Sequence, residues 1–198
     1  MLAVVNSASP VKTTGDLIAA ARKDPGKINF GSPGNGTTGH LGMELFQHAA
    51  QVKLTHVPYK SAAEAVLAVI GNQIQGVFDN PPTVLPHILA GRLRALAYAA
   101  PKRFALLPDV PTFDESGLKG FEASSWFGLV APAKTPRAVV DRLAQEAGRA
   151  LREPDVQKRF ADLGANLVGN TPEQFGAFVR AEITKWHAVV KAADIRLQ

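Results

Sequence analysis

Apolar and polar positions along this chain alternate between two rhythms. Short runs at Leu2–Val5, Lys27–Phe30, Val52–Tyr59, Gln75–Phe78 and Leu93–Ala99 have strand length and predict β-strands. Between them lie stretches with apolar residues three and four apart: Leu17, Ile18 and Ala21; Leu41, Leu45 and Ala49; Val66 and Ile70; Leu85 and Ile88. That spacing puts them on one side of a helix. Start and stop signals agree. Thr13 with Asp16, and Ser61 with Glu64, have the spacing of capping boxes, and Asp24-Pro25-Gly26 stops the first helix. Strand and helix alternate, which predicts an α/β fold with a parallel sheet and helices on both faces.

The pattern changes after Leu93–Ala99. Residues 101–120 are rich in Pro, Asp and Gly and read as loop, and Ser125–Val130 reads as a strand. Thr135-Pro136 predicts an N-cap followed by Pro at the first helical position, with Val139, Leu143 and Ala147 along that helix. A further helix covers about Pro154 to Leu163. Thr171-Pro172-Glu173-Gln174 opens a last one, with Phe175, Phe178, Val179, Ile183 and Trp186 on its buried side.

Composition narrows the function classes. The 198 residues are 46% hydrophobic and 20% charged, enough for a sizeable core. The formal charge is +5, which favours acidic partners. The basic residues are dispersed, however. The densest group, Arg149, Arg152, Lys158 and Arg159, is interleaved with acids, and no basic stripe carries stacking aromatics, so no nucleic-acid partner is expected. Absence of cysteine excludes thiolate metal sites and disulfides. No apolar run approaches the ~20 residues of a membrane span, and MLAVVNSASP lacks the features of a secretion signal.

The most informative stretch is GSPGNGTTGH, Gly31 to His40, between a predicted strand and a predicted helix. Open α/β sheets bind ligands at the carboxyl ends of such strands, and a helix start offers free amides and partial positive charge. Ser32, Asn35, Thr37 and Thr38 add polar side chains. Gly34, Gly36 and Gly39 spell the dinucleotide fingerprint, but the next strand ends in Tyr59-Lys60 instead of the acid that would hold a ribose. Gly31 to Thr38 approaches a phosphate-binding P-loop, but Thr37 stands where the lysine belongs. A small-anion cradle fits every residue; a plain connecting turn stays open beside it. Tyr59 and Asp79-Asn80 end neighbouring strands, where Asp79 could accept from a ligand amine or hydroxyl, or act as a turn residue before Pro81-Pro82.

His40 and Glu44 lie four apart, yet no further ligand at suitable spacing supports a metal, and His40 reads as helping to fix the loop. His48, His56, His87 and His187 read as isolated. Ser124-Ser125 lacks the glycines of a nucleophile elbow, so catalysis and a cofactor are not expected.

INFGSPGNGTTGHLGMELF, VPYKSAAEAVLAVIGNQIQGVFDNPPTVLPHILAGRLRALA, LPDVPTFDESG and SSWFGLVAPAKTP resemble the Bug-type (TctC) receptors of tripartite tricarboxylate transporters, in order and over essentially the whole chain. The resemblance implies a clamshell of the periplasmic-binding-protein type II kind, in the periplasm, delivering a small carboxylate to transporter membrane subunits. Residues 7–123 correspond to a complete second lobe with the glycine loop; residues 1–6 and 124–198 correspond to crossing strands plus the last part of an incomplete first lobe. By the same resemblance the ligand would meet Ser32, Gly34, Asn35, Gly36, Thr37, Thr38, His40, Tyr59, Asp79, Asn80 and Phe127. An incomplete lobe would expose the apolar faces after Pro136 and favour a homo-oligomer or swapped dimer. Two other readings remain at this point: a cytoplasmic ligand-sensing domain of a transcription regulator, and a nucleotide-using enzyme.

Overall fold

The structure is a computed structural model and describes residues 1–193 and 195. Five strands and seven helices follow one another as β1 (Leu2–Asn6), α1 (Thr14–Lys23), β2 (Asn29–Ser32), α2 (Thr38–Ala50), β3 (Thr55–Pro58), α3 (Ala62–Ile70), β4 (Gly76–Asp79), α4 (Pro81–Leu89), β5 (Leu93–Tyr98), α5 (Arg137–Ala150), α6 (Pro154–Asp162) and α7 (Pro172–Ala192). The chain divides into two compact units, Met1–Ser125 with the chain from Val189 onward, and Trp126–Ala188. Among the described residues no helix is long and apolar enough to cross a membrane.

The first unit is built on one sheet with strand order β3-β2-β4-β1-β5. The sheet is mixed, which corrects the expectation of a parallel one. β2 runs parallel to β3 and β4, whereas β1 lies antiparallel between β4 and β5. All five β1 residues are buried, as in a strand covered on both faces. A continuous apolar run of this kind reports burial, and strand direction leaves no mark in it.

Period-two alternation sorts the core onto two faces. On one, Phe30 and Phe78 from the sheet pack with Phe46 of α2, and Phe113 closes the cluster with ring centroids 5.9 Å from Phe46 and 6.0 Å from Phe78. On the other, Leu2, Val4 and Val77 pack with Val66 and Val69 of α3 and Val84 and Leu85 of α4. Caps set the helix starts. Thr13 and Asp16 exchange side-chain and backbone hydrogen bonds at α1, and Ser61 Oγ accepts from Glu64 N at α3.

In the second unit the three helices contain no buried residue. Two expectations fail here. Ser125–Val130 forms no strand, with Phe127 94% and Val130 89% exposed, because no strand among the described residues lies alongside it. The expected buried side of α7 is only partly covered. Phe175 and Phe178 pack edge-on against Trp126, centroids 5.6 and 5.3 Å away, while Ile183 is 63% exposed. The cap at α5 also shifts by one: Pro136 takes the N-cap position and Arg137 begins the helix. Thr171 and Gln174 cap α7 reciprocally, as their spacing predicts.

The aromatic cluster forms one of the two core faces of the first unit. Phe46→Ala, at a fully buried position, should destabilise the fold by about 3 to 5 kcal/mol through lost burial and the cavity left behind. The urea midpoint, with an unchanged slope, checks this.

Candidate functional site

β3, β2 and β4 are adjacent and parallel, so their carboxyl ends form one edge of the sheet. The glycine loop leaves β2 at that edge and enters α2. Gly34 and Gly36 have φ of +129° and +72°, a region glycine occupies without strain, and they turn the chain back onto the sheet. Gly39, in the first turn of α2, lies close against the sheet backbone: a Cβ there would lie 2.6 Å from the Phe78 carbonyl oxygen. The start of α2 therefore rests directly on the end of β4.

Hydrogen bonds fix the loop. Ser32 Oγ donates to Gly34 O at 3.0 Å and accepts from Gly34 N at 3.1 Å. Thr37 Oγ1 donates to Gly34 O at 2.7 Å, so it does not cap α2. Gly36 N donates to His40 Nδ1 at 3.1 Å. The amides of Asn35, Thr38 and Gly39 have no protein acceptor among the described residues. Asn35 and Thr38 are also exposed. Uncapped amides at a helix start, with the helix dipole behind them, suit an anion.

The other predicted positions distribute as follows. Tyr59 N donates to Ser32 O at 2.9 Å, its ring packs over Gly31, and its carbonyl lies by Gly34, so Tyr59 borders the loop. Asp79 ends β4 and is 4% exposed. Its Oδ1 accepts from Asn80 N at 2.7 Å, while Oδ2 is enclosed without a partner among the described residues. Burial pushes this carboxyl above its ordinary range, and the Asn80 amide pulls the other way. Asn80 is the N-cap residue of α4 and accepts from Ser125 Oγ at 2.9 Å. Phe127 belongs to the second unit.

His56 is the residue that sequence reasoning missed. Its ring stacks on that of His40, centroids 3.8 Å apart, and its Nε2 lies 2.6 Å from Ser32 Oγ. The contact arises because β2 and β3 pair Phe30 with His56, which brings His56 to the same side as Ser32. No sequence spacing encodes that register. The Ser32–His56 contact is not a nucleophile with its base. Ser32 is fully buried and its hydroxyl is spent on Gly34. His40 Nε2 faces Glu44 Oε1 at 3.6 Å, and no group of three or more His, Cys, Asp or Glu suited to a metal occurs among the described residues.

A glycine loop with unused amides, on the edge shared by Tyr59 and Asp79, coincides with a family-wide match. The profile of the family described as "Tripartite tricarboxylate transporter family receptor" (TctC) matches residues 1–195. The chain belongs to this family. Its members are substrate-binding receptors, not enzymes, and they are periplasmic. "Protein BugT" of Bordetella pertussis is 34% identical over 198 residues, all of this chain and 61% of that protein. A Rhodopseudomonas palustris protein solved with adipate superposes with a TM-score of 0.88 at 34% identity, covering 98% of this chain and 65% of that one. MatC of the same organism, solved with bound malate, gives 0.81 at 30% identity, covering 96% and 65%. The chain thus spans less than two thirds of these receptors' length. Over that span its α/β fold is that of the periplasmic binding proteins.

His56 is held at a pKa of about 4, by burial first and then by the charge of His40, with Glu44 acting in the opposite sense. An unfolded chain takes up that proton near pH 6.5, about the ordinary histidine value. Between those limits the unfolded state binds more protons, so stability present above about pH 6.5 is lost as pH falls towards 4. Melting temperature against pH should show this slope, and His56→Gln should flatten it.

Proposed function

We propose that this chain is the carboxylate-gripping portion of an extracytoplasmic solute receptor, which delivers its ligand to the membrane subunits of a tripartite tricarboxylate-type transporter. The observation that carries the proposal is the set of unused amides at Asn35, Thr38 and Gly39 where α2 begins at the sheet edge. A carboxylate there accepts several N–H bonds, and charge-assisted bonds of this kind are about twice as strong as neutral ones. No lysine or arginine occurs between Gly31 and His40, so the cradle recognises its ligand by shape and hydrogen bonding. The ligand class is a small mono-, di- or tricarboxylate, in keeping with the adipate and malate held by the two R. palustris proteins. Asp79, which ends β4 at the same sheet edge, accepts from a ligand hydroxyl or amine. Tyr59 and Asn80 supply the remaining contacts at this edge. Residues 7–123 form the gripping lobe; residues 1–6 and 124–198 form the crossing segments and part of the other lobe. Location in the periplasm follows from this role.

The test removes one amide and nothing else. Thr38 is the first residue of α2, and Thr37 before it is extended (φ −72°, ψ 162°). Proline is tolerated at such a position and after such a residue. Thr38→Pro should keep the melting temperature and weaken malate and adipate alike by about tenfold in calorimetry, roughly 1.4 kcal/mol. Asp79→Ala, titrated in the same series, should weaken malate, which bears a hydroxyl, more than adipate. A folded Thr38→Pro with undiminished affinity, or an unaltered chain that binds neither acid, would end the proposal.

A second copy of the chain is the proposed partner of the second unit. Phe127, Leu129, Val130 and Ile183 are all more than half exposed, more apolar surface than a solitary soluble unit ordinarily leaves open. Light scattering at roughly 10–100 μM, the range where weak association shows, should give a dimer or larger species. Monomer alone throughout that range rejects it.

A further inference from the structure

The polar group beneath the glycine loop has a feature that loop geometry alone does not require. His40 Nδ1 accepts the Gly36 amide at 3.1 Å, so that nitrogen carries a lone pair and the ring proton of a neutral His40 sits on Nε2, towards Glu44 Oε1 at 3.6 Å. Gly36 has φ +72° and links the two halves of the loop, between the Ser32–Gly34 bonds and the first turn of α2. The histidine therefore clamps the loop midway, through an acceptor that a single proton abolishes.

We propose that His40 is a proton-released latch of the glycine loop: with Nδ1 unprotonated it fixes the Gly36 amide, and on taking a proton it lets that amide go. With Nδ1 protonated, two N–H donors would face each other across 3.1 Å, an arrangement that cannot persist. The titratable groups facing His40 are Glu44, from its own helix, and His56, stacked on it from β3; β2 contributes the neutral Ser32, and the loop contributes backbone. Their effects are separable. Glu44, 3.6 Å away, offsets the positive charge of a protonated His40. The cradle above thus gains little attraction for an anion while losing its brace. His56 shares a stacked face with His40, and two imidazolium rings at 3.8 Å repel, so the pair accepts one proton before two. Histidine is the side chain suited to a change of this kind in mildly acid conditions.

That acid also loosens the hold on a carboxylate rests on the proposed function; the latch itself does not. The experiment separates them. The first arm uses the ligand-free chain, with nitrogen-15 in its histidines and amides, from about pH 7.5 to about pH 5. His40 should begin as the Nε2–H tautomer, and the Gly36 amide should lose its hydrogen-bonded shift and exchange roughly tenfold faster as His40 takes its proton. In His40→Asn, whose Oδ1 can replace Nδ1 as acceptor at every pH, the Gly36 amide should stay put. A His40 carrying its proton on Nδ1 at neutral pH overturns the latch. So does a His40 that stays neutral down to about pH 5, or a Gly36 amide indifferent to its titration. The wild-type titration decides these points even where the variant does not fold. The second arm compares malate affinity of wild type and His40→Asn at about pH 7.5 and about pH 5.5, so that the acid's own titration cancels. Wild type should weaken by several-fold more than the variant. A working latch with no such difference leaves the latch standing and removes its link to binding.

Discussion

The contact between Gly39 and the Phe78 carbonyl governs the arrangement of the whole sheet edge. Helix α2 can begin at the edge, and not a residue's length above it, because position 39 has no side chain to hold it away. That closeness puts the first-turn amides level with the ends of β3, β2 and β4. It also lets Phe46, two turns along α2, reach Phe78 and Phe113. The same seating therefore serves stability and the cradle.

Beneath that seating lies a polar group that would be costly to bury unsatisfied. Ser32 and His40 resolve this by bonding the loop backbone, and His56 by bonding Ser32 and stacking on His40. The outcome is a loop whose inner polar atoms are consumed internally and whose outer amides remain available. This division also separates a receptor from a hydrolase that places serine and histidine at similar distance. Here the hydroxyl is buried and spent on the Gly34 backbone.

Much of this was legible in the sequence. The caps at Thr13, Ser61 and Thr171 fixed three helix starts through local bonds that need no tertiary context, and the Gly31–His40 stretch announced a strand-to-helix turn with free amides. The features that sequence reasoning misread are non-local. The direction of β1 depends on which strands flank it, and an apolar run looks the same either way. Ser125–Val130 has strand composition, but a strand exists only with a neighbour to pair with. His56 seemed isolated because its partners, Ser32 and His40, lie 24 and 16 residues away and meet it only through β2–β3 register. The apolar stripe of α7 is periodic yet only partly covered, since periodicity shows which side seeks cover and cannot say what supplies it.

A cradle made of backbone amides has a consequence that a lysine or arginine clamp would not share. Amides are fixed by the fold and cannot follow a ligand, so they favour a carboxylate only at one position and angle. With no full positive charge in the loop, long-range attraction is weak, and the hold is lost once geometry is disturbed by a small amount. Under the proposed function such brittleness would be useful: loosening the loop at one bond, such as that between Gly36 and His40, would disturb the geometry that several amides share. A charged clamp would need each counter-charge to be displaced, and would surrender its ligand far less readily.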